Sequence, residues 1–189
     1  IPRPETEHLV EIALSWLRAH PDQRRVADVG TGSGCIAIAL AYHLPDVLVT
    51  ALDISAEALA VARTNIERLG LAERVDLVQS DLVEKLPEPV DVVCANLPYI
   101  PSQTVRDLDV ARYEPHLALD GGKDGMRLIE KLLVDLAQRC LCRSLIVLEM
   151  ESSQGQAARD LAAHYFPQAD LTVIQDLAGH DRLLTVVMR

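Results

Sequence analysis

Asp28-Val29-Gly30-Thr31-Gly32-Ser33-Gly34 stands between a short apolar run, Arg25–Gly30, and an apolar stretch from Ser33 to about His43. Glycine at every second position lets the backbone turn tightly and approach a ligand with no Cβ in the way. The run before the turn reads as a buried strand and the stretch after it as a helix. The next apolar run, Val47–Asp53, is a second strand. Its last residue is an acid about 20 residues beyond the turn, where a carboxylate can bind a ribose diol. Strand, glycine-rich turn, helix and acid-tipped strand together point to a nucleotide-like ligand rather than a turn that serves packing alone.

Outward from this unit the alternation continues. Thr6 to Ala19 carries a helical stripe of Leu9, Ile12, Ala13, Trp16 and Leu17. Ser55 caps a helix that runs to about Leu69, and Gly70 stops it. Arg74–Gln79 and Val90–Ala95 are further strands, and a loop of roughly 25 residues follows Asn96, long enough to suspect a functional segment. A helix from about Asp124 to Cys140, the strand Ser144–Glu149 and a helix from about Ser153 to His164 come next. The last strands, near Leu171–Gln175 and Leu183–Met188, are joined by a link too short for a helical crossover and are expected to be antiparallel. Five helices and seven strands so arranged imply a parallel sheet with helices on both faces and one reversed edge region.

The chain has 189 residues with 49% hydrophobic and 24% charged side chains, the balance of a globular protein with room for one proper core. Its net charge of −10 disfavours long nucleic acid as a broad-surface partner. Aromatic residues at 3% leave few platforms for stacking bases. Cys35, Cys94, Cys140 and Cys142 lack the paired spacing of a zinc site and read as small buried hydrophobes in a reducing cytosol. The six histidines form no ligand spacing, so no metal is expected. No apolar run approaches the roughly 20 residues that span a bilayer, and no signal peptide is visible. The chain opens Ile1-Pro2-Arg3-Pro4-Glu5-Thr6-Glu7 without a methionine, and residues 1–189 are expected to be one domain of a longer protein whose N-terminal part has been removed.

The spacing Gly-Thr-Gly-Ser-Gly differs from the G-x-G-x-x-G of dinucleotide sites. It resembles the first motif of class I S-adenosylmethionine-dependent methyltransferases, whose Rossmann-like fold has a seven-stranded, mostly parallel sheet with an antiparallel C-terminal hairpin. That likeness implies cofactor contacts from Gly30, Thr31, Gly32, Ser33, Gly34, Asp53 and Ile54, and adenine contacts from Asp81 and Leu82 at the end of the third strand. As a plainer reading, Asp81 is a turn or helix cap.

Asn96-Leu97-Pro98-Tyr99 ends the fourth strand and looks like the N-[PL]-P-[YFW] motif of enzymes that methylate a planar nitrogen. Such a nitrogen has its lone pair drawn into a π-system. Two acceptors, the Asn96 side-chain oxygen and the Leu97 carbonyl, would grip its hydrogens and orient it. Tyr99 can lie over the planar group and favour a cationic transition state. Asn96, Leu97, Pro98 and Tyr99 are thus the candidate catalytic and substrate-binding residues, and Asn96 would also meet the cofactor.

Three further segments are similar to signatures of the HemK/PrmC family of peptide chain release factor N5-glutamine methyltransferases. They are Ile1 to Glu7, Arg112 to Gly122 with Asp124-Gly125, and Asp176-Leu177-Ala178-Gly179-His180-Asp181-Arg182. The resemblance spans essentially the whole chain in collinear order. It implies transfer of a methyl group from S-adenosylmethionine, leaving S-adenosylhomocysteine, to the glutamine of the Gly-Gly-Gln loop of a release factor. Arg3, Glu5 and Glu114 are implied as supporting residues near the mouth, Arg3 and Glu114 on the substrate side. The expected protein is a cytoplasmic monomer whose partner is the release factor.

Three departures from the family pattern stand out. Leu97 replaces the usual proline, keeping the carbonyl but losing the φ restraint. Leu148 to Gly155 replaces a more glycine-rich stretch, and the family's N-terminal helical domain lies outside this sequence. Asn-Leu-Pro-Tyr is also found in ribosomal RNA adenine dimethyltransferases, so an adenine or guanine amine in RNA or DNA is the alternative substrate. A non-catalytic cofactor-binding domain is a third reading, which the intact Asn96 loop disfavours.

Overall fold

The computed structural model describes residues 4–87, 89–105, 115–139 and 144–188. Seven strands form one sheet: β1 (Arg25–Val29), β2 (Leu48–Asp53), β3 (Val75–Gln79), β4 (Val92–Ala95), β5 (Leu145–Glu149), β6 (Asp170–Gln175) and β7 (Asp181–Val187). Their order is β3-β2-β1-β4-β5-β7-β6. All neighbouring pairs from β3 to β5 are parallel, and β7 is antiparallel to both β5 and β6. This is the class I methyltransferase sheet. The closing pair is antiparallel, as expected from the sequence, and within it the reversed strand is the inner one. β7 inserts between β5 and β6, so the edge strand β6 runs with the others and only β7 opposes them.

Alternation along the strands decides which helices cover which face. Val26, Val49, Val92 and Cys94 pack beneath α1 (Pro4–Ala19), α2 (Cys35–His43) and α3 (Ala56–Arg68). Ala27, Val29, Leu52, Val93 and Ala95 face α5 (Arg127–Ala137) and α6 (Gly155–Tyr165). A single turn, α4 (Ser102–Val105), lies in the long loop where no helix was expected. Central strands β4 and β5 are buried along their whole length, as strands covered on both faces must be. Leu9 and Leu17 of α1 and Leu132, Leu133 and Leu136 of α5 are fully buried, each contributing about 1.5–3 kcal/mol of transfer free energy.

Local signals act as the sequence implies. The Ser55 side chain accepts from the Ala58 N–H at 3.1 Å and caps α3, and Gly70 follows its end with φ 69°. α5 starts at Arg127 rather than near Asp124, because Gly122 and Gly125 take φ of 95° and 80° and Asp124 accepts from the Met126 N–H. The Asp176-to-Arg182 segment is the β6–β7 turn. Asp176 accepts from the His180 and Ala178 N–H groups and from Arg182 Nε, and these bonds lower its pKa to about 2. Among the described residues, no helix is long and apolar enough to cross a membrane.

Candidate active site

The sheet register brings four chain segments to one line. Val29 is opposite Leu52 in β2 and Ala95 in β4, and Ala95 is opposite Leu148 in β5. The next residues, Gly30, Asp53, Asn96 and Glu149, therefore leave the sheet side by side at its carboxyl edge. Between β1 and β4 the strand order reverses, which is where open α/β sheets hold ligands. A cleft of about 560 Å³ opens there, and Gly30, Gly32, Asp53, Ile54, Asp81, Leu82, Asn96, Leu97, Pro98 and Tyr99 all line it.

The glycine-rich turn is pinned to β2. The N–H groups of Gly30 and Thr31 both donate to the Leu52 carbonyl, at 2.8 and 2.9 Å. Asp53 braces the same turn: Oδ2 accepts from the Gly32 N–H at 2.8 Å and Oδ1 from the Ser55 N–H at 2.9 Å. Gly30 has φ 74°, and a Cβ there would lie 2.9 Å from Leu97 Cδ2. The turn after β1 and the loop after β4 thus touch through a residue with no side chain and a buried leucine. Thr31, Ser33 and Gly34 do not line the cleft. Thr31 is buried and donates to Asp28, the Ser33 carbonyl accepts from Asn65 Nδ2, and Gly34 caps α2 against Ala62.

Asp28 is fully buried under this turn. Its Oδ2 accepts from Thr31 Oγ1 at 2.6 Å and from the Ala37 N–H at 3.0 Å, while Oδ1 has no partner among the described residues. Burial pushes its pKa up to about 6, outweighing the lowering by these two bonds. Burial and then the Asp28 charge push the thiol of the adjacent Cys94 well above its ordinary range. Cys35 is only half-buried, with Sγ 3.1 Å from Ser33 Oγ, rather than the buried hydrophobe expected. Cys140 and Cys142 lie outside the described residues.

On the far wall Asp81 forms an ion pair with Lys131 of α5. The neighbouring Leu82 has φ 47°, a left-handed conformation that costs a branched side chain about 1–2 kcal/mol. Backbone strain of this kind concentrates at ligand sites.

The loop after β4 is held from three sides. Asn96 Nδ2 donates to Thr6 Oγ1 at 2.9 Å, and Thr6 Oγ1 donates to Glu149 Oε2 at 2.8 Å. The Tyr99 hydroxyl donates to Glu149 Oε1 at 3.2 Å. Gln154 Nε2 donates to the carbonyls of Tyr99 and Asp124, at 2.9 and 3.1 Å. Gly125 fits beneath that clamp, since a Cβ there would overlap the Tyr99 carbonyl oxygen and Gln154 Nε2. This close approach explains the glycine-rich stretch from Gly121 to Gly125. The cleft is closed by Pro115, Leu117, Ala118 and Leu119, with Leu117 59% exposed at the rim.

Arg3 and Glu114 lie outside the described residues, as does the Glu5 side chain. The sequence reading missed Thr6 and Glu149, although the C-terminal position of Glu149 on its strand matches those of Asp53 and Asn96. It also missed Lys131 and Arg127, which line the cleft from a helix three elements away. Among the described residues no three His, Cys, Asp or Glu side chains cluster as metal ligands would.

Comparison with known proteins agrees with this geometry. Residues 9–112 match the family model "Methyltransferase small domain". The release factor glutamine methyltransferase of Rhodopirellula baltica is 40% identical over 98% of this chain and 65% of its own length. That of Moorella thermoacetica is 43% identical over 100% of this chain and 67% of its own length. The chain thus spans about two thirds of the length of these curated relatives. The crystal structure of the release factor-specific protein-(glutamine-N5) methyltransferase of Alicyclobacillus acidocaldarius superposes with a TM-score of 0.63 at 32% identity, covering 100% of this chain and 94% of that one. A cleft at the switch point, an Asn-Leu-Pro-Tyr loop on its edge and these relatives lead to one conclusion: the chain belongs to the release factor glutamine methyltransferase family.

Proposed function

We propose that this chain transfers a methyl group from S-adenosylmethionine to the side-chain amide nitrogen of the glutamine in the Gly-Gly-Gln loop of peptide chain release factors. The observation that carries the reading is the meeting of the Asn96 loop with the glycine-rich turn in one cleft. Support comes also from the relatives, whose names give this substrate.

The residues present fit the cofactor. Gly30 and Gly32 offer backbone without side chains, Asp53 stands where a ribose diol would be accepted, and Asp81 and Leu82 border a place for the adenine. The buried carboxylate of Asp28, with one oxygen unpartnered among the described residues, makes the floor of the turn acidic. That favours a ligand whose amino-acid end carries an ammonium group. S-adenosylmethionine supplies a methyl group on a sulfonium and leaves as S-adenosylhomocysteine.

This chain's own residues then have to deal with a poor nucleophile. The substrate amide nitrogen offers two hydrogens, which the Asn96 side-chain oxygen and the Leu97 carbonyl would accept. Held so, the nitrogen is oriented for in-line attack, and positioning of this kind supplies much of a rate enhancement. Tyr99, tethered through its hydroxyl to Glu149, would lay its ring along the planar amide. The methylated nitrogen sheds its extra proton to water without a strong base. In this reading residues 1–189 are one catalytic domain acting as a monomer in the cytoplasm, where translation terminates.

The test is incubation of the chain with S-adenosylmethionine and a release factor, with structured RNA in a parallel reaction, followed by mass spectrometry. One methyl group on the Gly-Gly-Gln peptide is the expected result. A methyl group on a base instead would overturn the protein substrate and favour the nucleic-acid alternative.

A further inference from the structure

Asn96 carries two chemically different ends on one side chain. Only the oxygen can accept a hydrogen from a substrate amide; the nitrogen can only donate. Which end faces the cleft is therefore as important as where the side chain lies. The two ends have nearly equal shape, so packing alone does not choose between them.

The hydrogen-bond chain behind Asn96 does choose. Glu149 sits at the carboxyl end of β5, is 1% exposed and accepts from two hydroxyls, Thr6 on Oε2 and Tyr99 on Oε1. Thr6 lies in the first turns of α1 and is itself 9% exposed. A threonine hydroxyl has a single proton, and here it goes to the carboxylate. Toward Asn96 the same oxygen can then only accept, and it does, from Nδ2 at 2.9 Å. Asn96 is left with its oxygen as the free end on the cleft side. The alternative amide orientation would set two acceptors, Asn96 Oδ1 and Thr6 Oγ1, against each other, a cost that the burial of Thr6 and Glu149 raises.

We propose that Thr6 and Glu149 are positioning residues that lock the Asn96 amide with its carbonyl oxygen toward the cleft, making the acceptor that a planar nitrogen substrate requires. The kinetic part of this proposal rests on the reading of Asn96 as the substrate's acceptor; the orientation itself does not. The same carboxylate orients Tyr99, so one buried acid sets both polar side chains of the loop.

The argument is directional and makes a specific prediction for Glu149→Gln. That variant keeps the shape but can donate from its amide to Thr6. The threonine proton is then no longer committed to residue 149 and can turn to Asn96, which removes the preference for the oxygen-out orientation. Thr6→Val removes the relay while keeping the volume, and Thr6→Ser keeps it. Side-chain amide NMR of Asn96 in the whole chain reads the orientation with no methyl acceptor present. The Asn96 Nδ2 protons should exchange about tenfold faster in Thr6→Val than in the wild type or in Thr6→Ser. In methyl transfer to a Gly-Gly-Gln peptide, Thr6→Val and Glu149→Gln should each lower kcat about a hundredfold, with cofactor Kd within about twofold and Thr6→Ser restoring turnover. A role confined to tying α1 to the sheet would instead lower the melting temperature of Thr6→Val and leave kcat and Nδ2 exchange unchanged, which overturns the proposal. Unchanged Nδ2 exchange in Thr6→Val overturns it whichever substrate the enzyme takes. If the wild type itself leaves the peptide unmethylated, the glutamine reading fails, and the NMR comparison still decides the relay. Should Glu149→Gln not fold, the Thr6 pair carries the test alone.

Discussion

At the scale of single residues, the two polar groups on the cleft edge are predicted to fail in different ways. Asp53 makes two bonds to backbone N–H groups of the turn and of the α3 cap, in addition to facing the cleft. Asp53→Ala removes both braces and the proposed ribose acceptor, so cofactor affinity should fall about tenfold or more, about 1.4 kcal/mol at the least. Asn96→Ala leaves the turn intact. It should abolish methyl transfer while cofactor affinity, read by isothermal titration, changes only a few-fold. Equal losses of affinity in the two variants would mean that Asn96 serves the cofactor rather than the methyl acceptor. The spacing of Asp53 from the glycines made it visible in the sequence. Its part in holding Gly32 was not, because a carboxylate's backbone partners depend on the turn geometry. Thr6 and Glu149 were hidden for a similar reason: 143 positions separate them, and only the packing of α1 on β5 joins them.

Among the elements, the stretch after β4 was the least legible. Its glycines, prolines and acids announced a loop, but periodicity says nothing about which carbonyl a turn will rest on. The structure shows Gly125 wedged under Tyr99 and Gln154 with φ 80°, and α5 delayed until Arg127 by that turn. Gly125→Ala places a side chain where none fits and in a backbone region costing about 1–2 kcal/mol for a non-glycine residue. The Tyr99 carbonyl must then shift, and Asn96 lies three residues away on the same loop. The variant should lose at least about 1 kcal/mol in urea denaturation and lower kcat about tenfold or more. Lost stability with undiminished kcat would show that the loop's catalytic face does not depend on this clamp. The helix caps, by contrast, were readable in place, because Ser55 and Gly70 act on their own neighbours.

Over the whole molecule, the sheet was largely legible because central strands covered on both faces need nearly continuous apolar runs; β4 and β5 have them, and β1 and β2 are broken internally only by Asp28 and Thr50. The insertion of β7 between β5 and β6 was not, since a short link fixes antiparallel pairing but not which partner takes the outer place. That close-packed interior also encloses Asp28, and its charge leaves a mark on global stability. Its pKa rises from the ordinary 3.8 to about 6 in the folded protein, chiefly through burial. Between those values the native state holds a proton that the unfolded chain has released, so stability falls as pH rises through this window and levels off above it. The difference corresponds to about 3 kcal/mol, absent below pH 4 and fully present by pH 7. Asp120 and Asp176, whose pKa values are lowered by hydrogen bonds, act with the opposite sign: the stability they contribute above their ordinary pKa is lost as pH falls below about 4. Urea midpoints should therefore be highest near pH 4 and decline toward pH 7. Asp28→Asn, which cannot ionise, should flatten the decline while leaving the acid limb in place. A wild-type profile that rises from pH 5 to 7 would mean that the Asp28 carboxylate is compensated in the fold.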